Sequence, residues 1–281
     1  MSYTISLLNM KGGVGKTTLA VNLAWHMYLT KNCSVLLVDL DPQFNATQYV
    51  MDYKAFDTHR KERGTIADLL IDQPRLDLKL RKLKKDPRVA LHTIRQSKSA
   101  AFRLLPSELD LAWVVKNPAQ MDYKLEKLLS IIRPEYDYIF IDCAPTDSVL
   151  TTMALTASDF LLVPVRPDRF SILGFFNLLQ TISTFRKNCP DPHNVKDLGV
   201  VFTQVTGTSA VEAECMEIIR TMATKQDGYV FSSKLMYSNS FSRAIKDQTP
   251  IFKTLYAHSK SKSAASEIAR EAGDRINELV K

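Results

Sequence analysis

A glycine-rich segment between two apolar runs constrains this chain more than any other feature. The segment is NMKGGVGKTT, residues 9–18; it follows YTISLLN and precedes TTLAVNLAWHM, whose apolar residues recur at helical spacing. A strand, a tight turn and a helix in that order favour phosphate binding, because backbone N–H groups and the positive end of the helix dipole meet at the turn. The pattern predicts a phosphate-binding loop.

The loop keeps most of the usual phosphate-loop pattern G-x-x-x-x-G-K-[ST]. Gly15, Lys16 and Thr17 supply its end, whereas Met10 occupies the place of the first glycine. Lys16 is expected to reach the β- and γ-phosphates of a nucleotide, and the Thr17 hydroxyl to ligate magnesium. Lys11 is a second lysine that the pattern does not require. A glycine turn with solvated lysines fits the strand and helix context less well. Close approach of the backbone is predicted at Gly12, Gly13 and Gly15.

Acidic residues follow two other apolar runs. Asp39 and Asp41 come after SVLLV, and Asp142 comes after YIFI. Ligands of a parallel sheet bind where its strands end, so these carboxylates are expected beside the phosphate loop. A carboxylate in such a place commonly holds magnesium directly or through water, and Asp142 fits that role best. Capping of the next helix would explain any one of these positions, but it explains less well why all of them follow strands.

Apolar runs of strand length alternate with amphipathic segments along the chain. This alternation predicts an α/β fold with a doubly wound, mostly parallel sheet and helices on both faces. We expect a single domain, residues 1–281, whose C-terminal helices, from about residue 240, pack on the core. The predicted strands are YTISLLN, SVLLVD, FRLLP, YDYIFID, DFLLVPV and LGVVFT, with GYVFSSKL as a weaker candidate.

The composition is that of an ordinary soluble globular protein, with 45% hydrophobic and 24% charged residues. No apolar stretch approaches the length of a membrane span, and the first polar loop comes too early for a signal peptide, so we expect the protein in the cytoplasm. Cys33, Cys143, Cys189 and Cys215 form no C-x-x-C pair and are expected to be reduced thiols.

The positive charge is concentrated in two stretches. The net charge is +7, which favours an acidic polymer or surface as a partner. Residues 79–98, KLRKLKKDPRVALHTIRQSK, hold eight lysines and arginines against one aspartate, and more lysines lie in FKTLYAHSKSK near the C-terminus. Solvated helix faces explain such clusters equally well. The sequence leaves open whether 79–98 contacts DNA, a partner or only water.

Three motifs resemble the ParA/MinD group of deviant Walker ATPases, and ParA-type partition proteins most closely. They are KGGVGKTT, VLLVDLDPQFNAT and YDYIFIDCAPTDSVLTTMALTASDFLLVPV. The similarity extends through TIADLL, LLPSELDLA and FSILGFFNLLQTI, and so covers nearly the whole chain. The resemblance implies a P-loop NTPase fold of the deviant Walker A type, with ATP and Mg²⁺ as cofactors and slow hydrolysis of ATP to ADP and phosphate.

The resemblance also assigns a role to the second lysine. Lys11 would be the signature residue, which reaches across a homodimer with ATP sandwiched between the subunits and contacts the phosphates held by the other subunit. Asp41 would position the attacking water, Asp142 would be the Walker B carboxylate, and Asp39 would assist around the metal. The implied catalytic residues are Lys11, Lys16 and Asp41; the implied metal site is Thr17, Asp142 and Asp39; the implied nucleotide contacts are Lys11, Gly12, Gly13, Val14, Gly15, Lys16, Thr17 and Thr18, with Thr18 at the α-phosphate.

Two departures limit what the resemblance implies. Phe44 stands where ParA-like proteins usually have the glycine of D-P-Q-G-N, so the flexibility of that switch segment does not carry over. The stretch KLMYSNSFSRAI lacks the proline-arginine step that relatives often have there, so no residue is assigned to the adenine base.

The chain resembles the short ParA form, since its start at the first strand is expected to leave no room for an N-terminal helix-turn-helix. The short form implies an ATP dimer that binds DNA without sequence preference and, with a ParB-like partner or cargo adaptor that stimulates hydrolysis, distributes a plasmid, chromosome or other cargo over the nucleoid. Phosphate contacts need positive charge rather than base-edge geometry. The candidate DNA contacts are Arg243, Lys246, Lys234, Lys253, Lys260 and Lys262, of which the first two are favoured.

Three other functions stay open. A MinD-like membrane ATPase would insert SEIAREAGDRINELVK into lipid, but the narrow apolar stripe and mixed charge of this segment favour packing on the sheet, and a membrane partner is not expected. An electron-transfer protein with a cluster bridging the dimer would need two suitably placed cysteines per chain; Cys143 sits beside Asp142, and the other cysteines show no cluster motif. A non-hydrolysing scaffold is disfavoured because Lys16 and Asp41 are both present.

Overall fold

The residues that the structure describes form an eight-stranded sheet with helices on both faces. The structure is a computed structural model that describes residues 2–71, 86–188, 195–255 and 257–281. The strands are β1 (Tyr3–Leu7), β2 (Val35–Leu40), β3 (His92–Gln96), β4 (Ala101–Leu105), β5 (Tyr138–Cys143), β6 (Phe160–Val165), β7 (Lys196–Val205) and β8 (Leu235–Met236).

The strand order is β3-β4-β2-β5-β1-β6-β7-β8, and neighbouring strands are parallel except for β3 and β4. The predicted doubly wound, mostly parallel sheet is therefore confirmed. β1 lies near the centre, between β5 and β6, so the loop that follows β1 opens at the middle of one sheet edge. The ends of β2 and β5 lie at the same edge, since Asp39 is in register with Asp142.

Two helical layers cover the sheet. One layer packs on the face that carries Val35 and Leu37, and the other packs on the face that carries Leu36 and Val38. β2 is apolar almost throughout because both of its faces are buried, as is usual in a parallel sheet. The first layer contains α1 (Lys16–Lys31), α2 (Asn45–Val50), α3 (Tyr53–Arg63), α10 (Asn239–Lys246) and α11 (Ser259–Val280), and the second contains α4 (Ile66–Leu70), α5 (Ala112–Lys116), α6 (Lys124–Ile132), α7 (Val149–Ala157), α8 (Arg169–Asn188) and α9 (Ala210–Thr224).

Strand β3 lies in the basic stretch 79–98, where the sequence analysis predicted no strand. Its sequence, HTIRQ, has no apolar run, because β3 is the antiparallel edge of the sheet and is partly exposed on both faces. Residues 72–85, and with them most of the basic residues of the stretch, lie outside the described residues.

The C-terminal helix α11 packs against α1 with its apolar stripe. Ile268, Ala272 and Ile276 are each at most 4% exposed and belong to the same core cluster as Leu23 of α1. Among the described residues, no helix is both long and apolar enough to cross a membrane.

Gly199 in β7 gives a stability test of this packing. Its φ is +139°, and an added Cβ would lie 2.8 Å from Cδ1 of Tyr229 and 2.9 Å from Cε2 of Phe231. Gly199→Ala is expected to lower the free energy of unfolding by about 3 kcal/mol in urea titration. Gly273→Ala is the control, because no atom lies within 4 Å of its added Cβ in α11; it should raise the stability by about 0.5–1 kcal/mol. Equal stability of the two variants would contradict this close approach.

Candidate functional site

The loop between β1 and α1 has the backbone geometry of an anion site. Gly13 has a φ of +71° and Gly15 a φ of +86°, conformations that residues with a Cβ rarely adopt. Gly15 caps the N-terminus of α1, whose first N–H groups have no partner within the helix. Asn9 holds the start of the loop, because its Oδ1 accepts from the backbone N–H of Lys11 at 2.9 Å. At Gly12 the nearest contact of an added Cβ is an ordinary one of 4.0 Å.

The end of β7 binds the outer side of the loop, which the sequence analysis missed. Thr203 Oγ1 donates to the carbonyl of Val14, and Gln204 Nε2 donates to the carbonyl of Gly13, both at 2.6 Å. The C=O and N–H of one peptide plane point in opposite directions, so these bonds turn the N–H groups of Val14 and Gly15 away from β7. The sequence did carry a signal for this contact: polar residues follow the apolar run LGVVFT, just as the carboxylates of the site follow β2 and β5.

Lys16 is buried at the start of α1, with 6% of its surface exposed. Its Nζ donates to the carbonyls of Asn9 at 3.0 Å and Lys11 at 3.2 Å, so the ammonium lies over the loop. Burial lowers the pKa of Lys16, and the nearby Asp142 carboxylate opposes that shift. Thr18, two residues further into the helix, is partly buried, and its carbonyl accepts from the side-chain amide of Asn22 at 2.8 Å.

Thr17 and Asp142 form the pair predicted for magnesium. Thr17 Oγ1 donates to Asp142 Oδ2 at 2.6 Å, which joins the helix start to the end of β5. Asp142 is 1% exposed, and its other oxygen, Oδ1, has no hydrogen-bond partner. A hydroxyl and a buried carboxylate with a spare oxygen are hard oxygen donors, which suit Mg²⁺. The residues present therefore fit a magnesium ion.

Burial raises the pKa of Asp142 to about 7 and raises the pKa of Asp39 well above its usual value. The two carboxyls lie on neighbouring strands in direct register, and repulsion from Asp142 further raises the pKa of Asp39. Asp39 Oδ2 accepts from the backbone N–H and the hydroxyl of Thr47, both at 2.8 Å, and its Oδ1 accepts from the N–H of Asp41 at 3.2 Å. In this structure Asp39 organises the start of α2; its assistance at the metal stays a prediction.

Asp41 and Phe44 define the turn between β2 and α2. Asp41 is 6% exposed; its Oδ1 accepts from the N–H of Gln43 at 2.9 Å, and its carbonyl accepts from the N–H of Phe44 at 2.8 Å. Phe44 has a φ of +43°, which is unusual for a bulky residue, and its ring stacks on Phe56 at 5.4 Å. The turn thus has the backbone conformation that a glycine favours, with an aromatic contact holding it to α3.

Lys11 points away from the loop and lies against the start of α8. Its Nζ donates to both carboxylate oxygens of Asp168, at 2.7 and 2.6 Å, and to Ser171 Oγ at 3.2 Å. The side chains of Lys11 and Asp168 are 28% and 30% exposed, and the ammonium lies 5.8 Å from the ring centroid of Phe170. Lys11 therefore has a partner within its own chain, which the sequence analysis did not predict.

The candidate DNA contacts lie mainly in the layer of α1, α10 and α11. Arg243 and Lys246 are exposed on α10, Lys253 is exposed in the segment between α10 and α11, and Lys260 is exposed on α11. Two further candidates, Lys234 before β8 and Lys262 on α11, are partly buried.

The cysteines of the described residues do not lie in a metal-binding group. Cys143 and Cys215 are buried, and Cys33 is partly exposed; Cys189 lies outside the described residues. Within the described ranges no group of three or more histidine, cysteine, aspartate or glutamate side chains is arranged to hold a metal ion.

The parallel sheet and the glycine-rich loop define the class of protein, a P-loop NTPase fold. Comparisons with known proteins give the family within this class. Residues 2–195 match the family described as AAA domain. The chain is 32% identical to the sporulation initiation inhibitor protein Soj of Bacillus subtilis over 222 residues, which cover 78% of this chain and 79% of that protein. It is also 32% identical to the chromosome partitioning protein ParA of Myxococcus xanthus over 227 residues, which cover 79% of this chain and 72% of that protein.

Solved structures share the fold at lower identity. An ATP complex of a McdA variant from Cyanothece aligns with a TM-score of 0.78 at 19% identity, over 97% of this chain and 96% of that one. Cobyrinic acid a,c-diamide synthase from Mycobacterium smegmatis, with bound ATP analogue and magnesium, aligns with a TM-score of 0.72 at 23% identity, over 96% and 93%. The chain belongs to the ParA family of partition ATPases.

The raised pKa of Asp142 predicts a pH effect on stability. Its pKa of about 7 in the fold exceeds the ordinary value of 3.8, so the folded chain holds the extra proton between those values. Without nucleotide and magnesium, stability should therefore fall as the pH rises from about 4 to 7. Asp142→Asn removes this charge penalty and should raise the melting temperature at pH 8 by about 5 °C.

Asp142→Asn should also abolish any additional stabilisation by ATP and magnesium, because the metal oxygen donor is lost. Asp147→Asn, an exposed change in the loop after β5, is the control for loss of one negative charge. It should neither raise the melting temperature at pH 8 nor remove the stabilisation by ATP and magnesium. A variant at 142 that is less stable than the parent chain at pH 8 would contradict the burial argument.

Proposed function

We propose that this chain is an ATPase that dimerises around ATP, binds DNA without sequence preference in that state, and so segregates or positions a plasmid, chromosome or other cargo. The observation that carries the proposal is Lys11. Within one chain, Lys16 already lies over the loop, and Thr17 is paired with Asp142; we assign these groups to the phosphates and the metal. Lys11 is a further cation on the same loop, and its ion pair with Asp168 holds it away from Lys16, Thr17 and Asp142.

ATP and magnesium are the cofactors of this proposal. The loop N–H groups, Lys16 and Thr18 would hold the phosphates, while Thr17 and Asp142 would hold the metal. Bound magnesium would neutralise charge that develops on the β- and γ-phosphates. The structural neighbours with bound ATP, or with an ATP analogue and magnesium, support this choice of cofactors.

Dimerisation would give Lys11 a second partner. Its partly exposed ammonium is bound to one carboxylate near the protein surface, where an ion pair contributes little, about 1 kcal/mol or less. A multiply charged phosphate on a second copy of the chain would be a stronger competitor than Asp168 for that cation. The exchange would make the dimer depend on the γ-phosphate and so on the state of the nucleotide.

Hydrolysis would end that state. Asp41 would orient a water whose oxygen bonds to the γ-phosphorus while the bond from that phosphorus to the ADP oxygen breaks. Asp41 is held in a tight turn by Gln43 and Phe44, and the stack of Phe44 on Phe56 restricts movement of the segment. We expect hydrolysis to be slow in the isolated chain and to be stimulated by a ParB-like partner or cargo adaptor.

DNA would bind to the layer that contains α10 and α11. Arg243 and Lys246 are exposed in the last turn of α10, close to α2 and the switch segment, so nucleotide state and DNA contact can be coupled. The name of the relative from Myxococcus xanthus, chromosome partitioning protein ParA, agrees with a role on the chromosome. The proposal therefore places the protein in the cytoplasm, on the nucleoid.

A membrane switch of the MinD kind is less well supported. The C-terminal helix would have to expose its apolar stripe, yet Ile268, Ala272 and Ile276 are buried against α1 and the sheet. Release of this stripe would open the core of the first layer, at a cost of several kcal/mol.

A DNA-binding titration tests the proposed switch. We measure affinity for random-sequence duplex DNA without nucleotide, with ADP, and with ATP plus magnesium, across a salt series. ATP should tighten binding at least tenfold, and binding should weaken steeply with salt because phosphate contacts release counterions. Asp41→Ala should retain the ATP-bound affinity for longer, since hydrolysis is blocked. Affinity that is equal in all nucleotide states would contradict the proposal.

Lys11→Ala should separate nucleotide binding from dimerisation. The variant should bind ATP nearly as well as the parent chain but remain monomeric with ATP in sedimentation, and its DNA affinity should stay at the ADP level. Lys127→Ala, which removes one exposed charge from α6, is the control and should behave like the parent chain. A Lys11→Ala chain that forms the ATP dimer would refute the trans role of this lysine.

A further inference from the structure

A second basic surface lies at the far end of α1 from the phosphate loop. Its centre is Trp25, which is 3% exposed, with the Cζ of Arg95 5.9 Å and the Nζ of Lys253 5.6 Å from its ring centroid. Arg95 comes from strand β3 and Lys253 from the segment after α10. Two distant parts of the chain thus hold exposed cations over one buried aromatic ring, and cation–π attraction stabilises both positions.

The hairpin between β3 and β4 extends this surface to the end of α1. Lys98 is exposed at the hairpin turn, and its neighbour Ser99 accepts a hydrogen bond from the side chain of Asn32 at 2.7 Å. Asn32 caps the C-terminus of α1 directly after the exposed Lys31. We define the Trp25 patch as Lys31, Arg95, Lys98 and Lys253.

The cations of the patch are not neutralised by acidic side chains of the described residues. In the described part of the chain, no ion pair includes a member of the patch. Arg88, from the same basic stretch, behaves differently, because it pairs with Asp86 and Glu135. A set of cations that form no ion pair, around a buried aromatic ring, fits an external anion better than a network of structural ion pairs.

The patch continues the surface proposed for DNA. Ile251, two residues before Lys253, is hydrogen-bonded to Asn22 in the middle of α1, and Arg243 and Lys246 precede it on α10. The exposed cations therefore run from α10, beside the switch segment, across Trp25 to the far end of α1. A linear array of phosphates matches such a track, whereas a membrane surface would also favour a face of exposed apolar side chains.

We propose that the Trp25 patch binds the phosphate backbone of DNA and extends the contact of Arg243 and Lys246 along α1. This inference rests on the proposed function, since it lengthens the same DNA site. It assigns a role to the part of the stretch 79–98 that the structure describes, namely Arg95 and Lys98 on the β3–β4 hairpin.

The test is the DNA titration repeated with the double variant Arg95→Ala/Lys98→Ala in ATP and magnesium. We expect about tenfold weaker binding at 0.1 M salt and a log–log salt dependence that is less steep by about 2, as two phosphate contacts are lost. Lys187→Ala/Lys225→Ala removes the same charge from exposed positions on the opposite layer and should bind within twofold of the parent chain. ATP hydrolysis without DNA should be unchanged in both.

The outcomes separate this inference from the proposed function. If the parent chain binds DNA and the Arg95→Ala/Lys98→Ala variant matches its control, the patch is not a DNA surface and the proposed function stands. If the parent chain does not bind DNA in any nucleotide state, both fail. Weakened binding to phosphatidylglycerol vesicles with unchanged DNA affinity would likewise overturn the inference.

Two further variants guard against misfolding. Arg95→Lys/Lys98→Arg keeps both charges and should restore affinity to within about twofold. Lys98→Glu changes only the exposed hairpin turn, and it should weaken DNA binding at least tenfold even if the double alanine variant unfolds. Parent-like DNA affinity of Lys98→Glu would overturn the inference.

Discussion

The hydrogen bond between Thr17 and Asp142 is the contact on which the site depends. It joins the first turn of α1 to the end of β5, where the buried Asp142 lies in a central strand of the eight-stranded sheet. Burial keeps Asp142 costly to ionise and leaves one of its oxygens without a partner. A cation at this point would offset the cost of ionising Asp142 and would bond to its second oxygen, which is the chemistry that magnesium of a magnesium nucleotide would supply.

In the proposed function, the second lysine is the group that makes the site depend on another copy of the chain. Lys16 is fixed over the loop by two carbonyls, whereas Lys11 is bound outside the loop by Asp168 and Ser171. The two lysines therefore differ in burial and in partner, although they are five positions apart in one short loop. A buried lysine suits permanent attraction of phosphate, and a partly exposed, ion-paired lysine suits a contact that forms and breaks.

Much of the fold was predictable because its central strands are buried on both faces and so appear as continuous apolar runs. The same reason explains what was missed. Strand β3 has one neighbour and two exposed faces, so HTIRQ has no apolar signal, and the pairing that makes it a strand is non-local. The weaker candidate, GYVFSSKL, is wrong over most of its length. Val230 forms only an isolated parallel bridge with Val200, and the two-residue strand β8, Leu235–Met236, begins at the last residue of the predicted run.

The phosphate loop and the strand-end carboxylates were predictable because strand, turn and helix lie together in the sequence. Contacts between distant segments were not predictable. Gln204 bonding to Gly13, Asp168 bonding to Lys11, and Arg95 lying over Trp25 each join residues far apart in the chain. Phe44 was recognised as a departure from the family pattern, and the structure adds its left-handed backbone and its stack on Phe56.

The most direct test of the account is a crystal structure of the Asp41→Ala chain with ATP and magnesium, in which hydrolysis is blocked. The account predicts a two-fold dimer in which Lys11 has left Asp168 and its Nζ lies within hydrogen-bond distance of a phosphate oxygen bound by the other copy. A nucleotide-bound chain whose Lys11 still contacts Asp168, with no second copy over the phosphates, would contradict it.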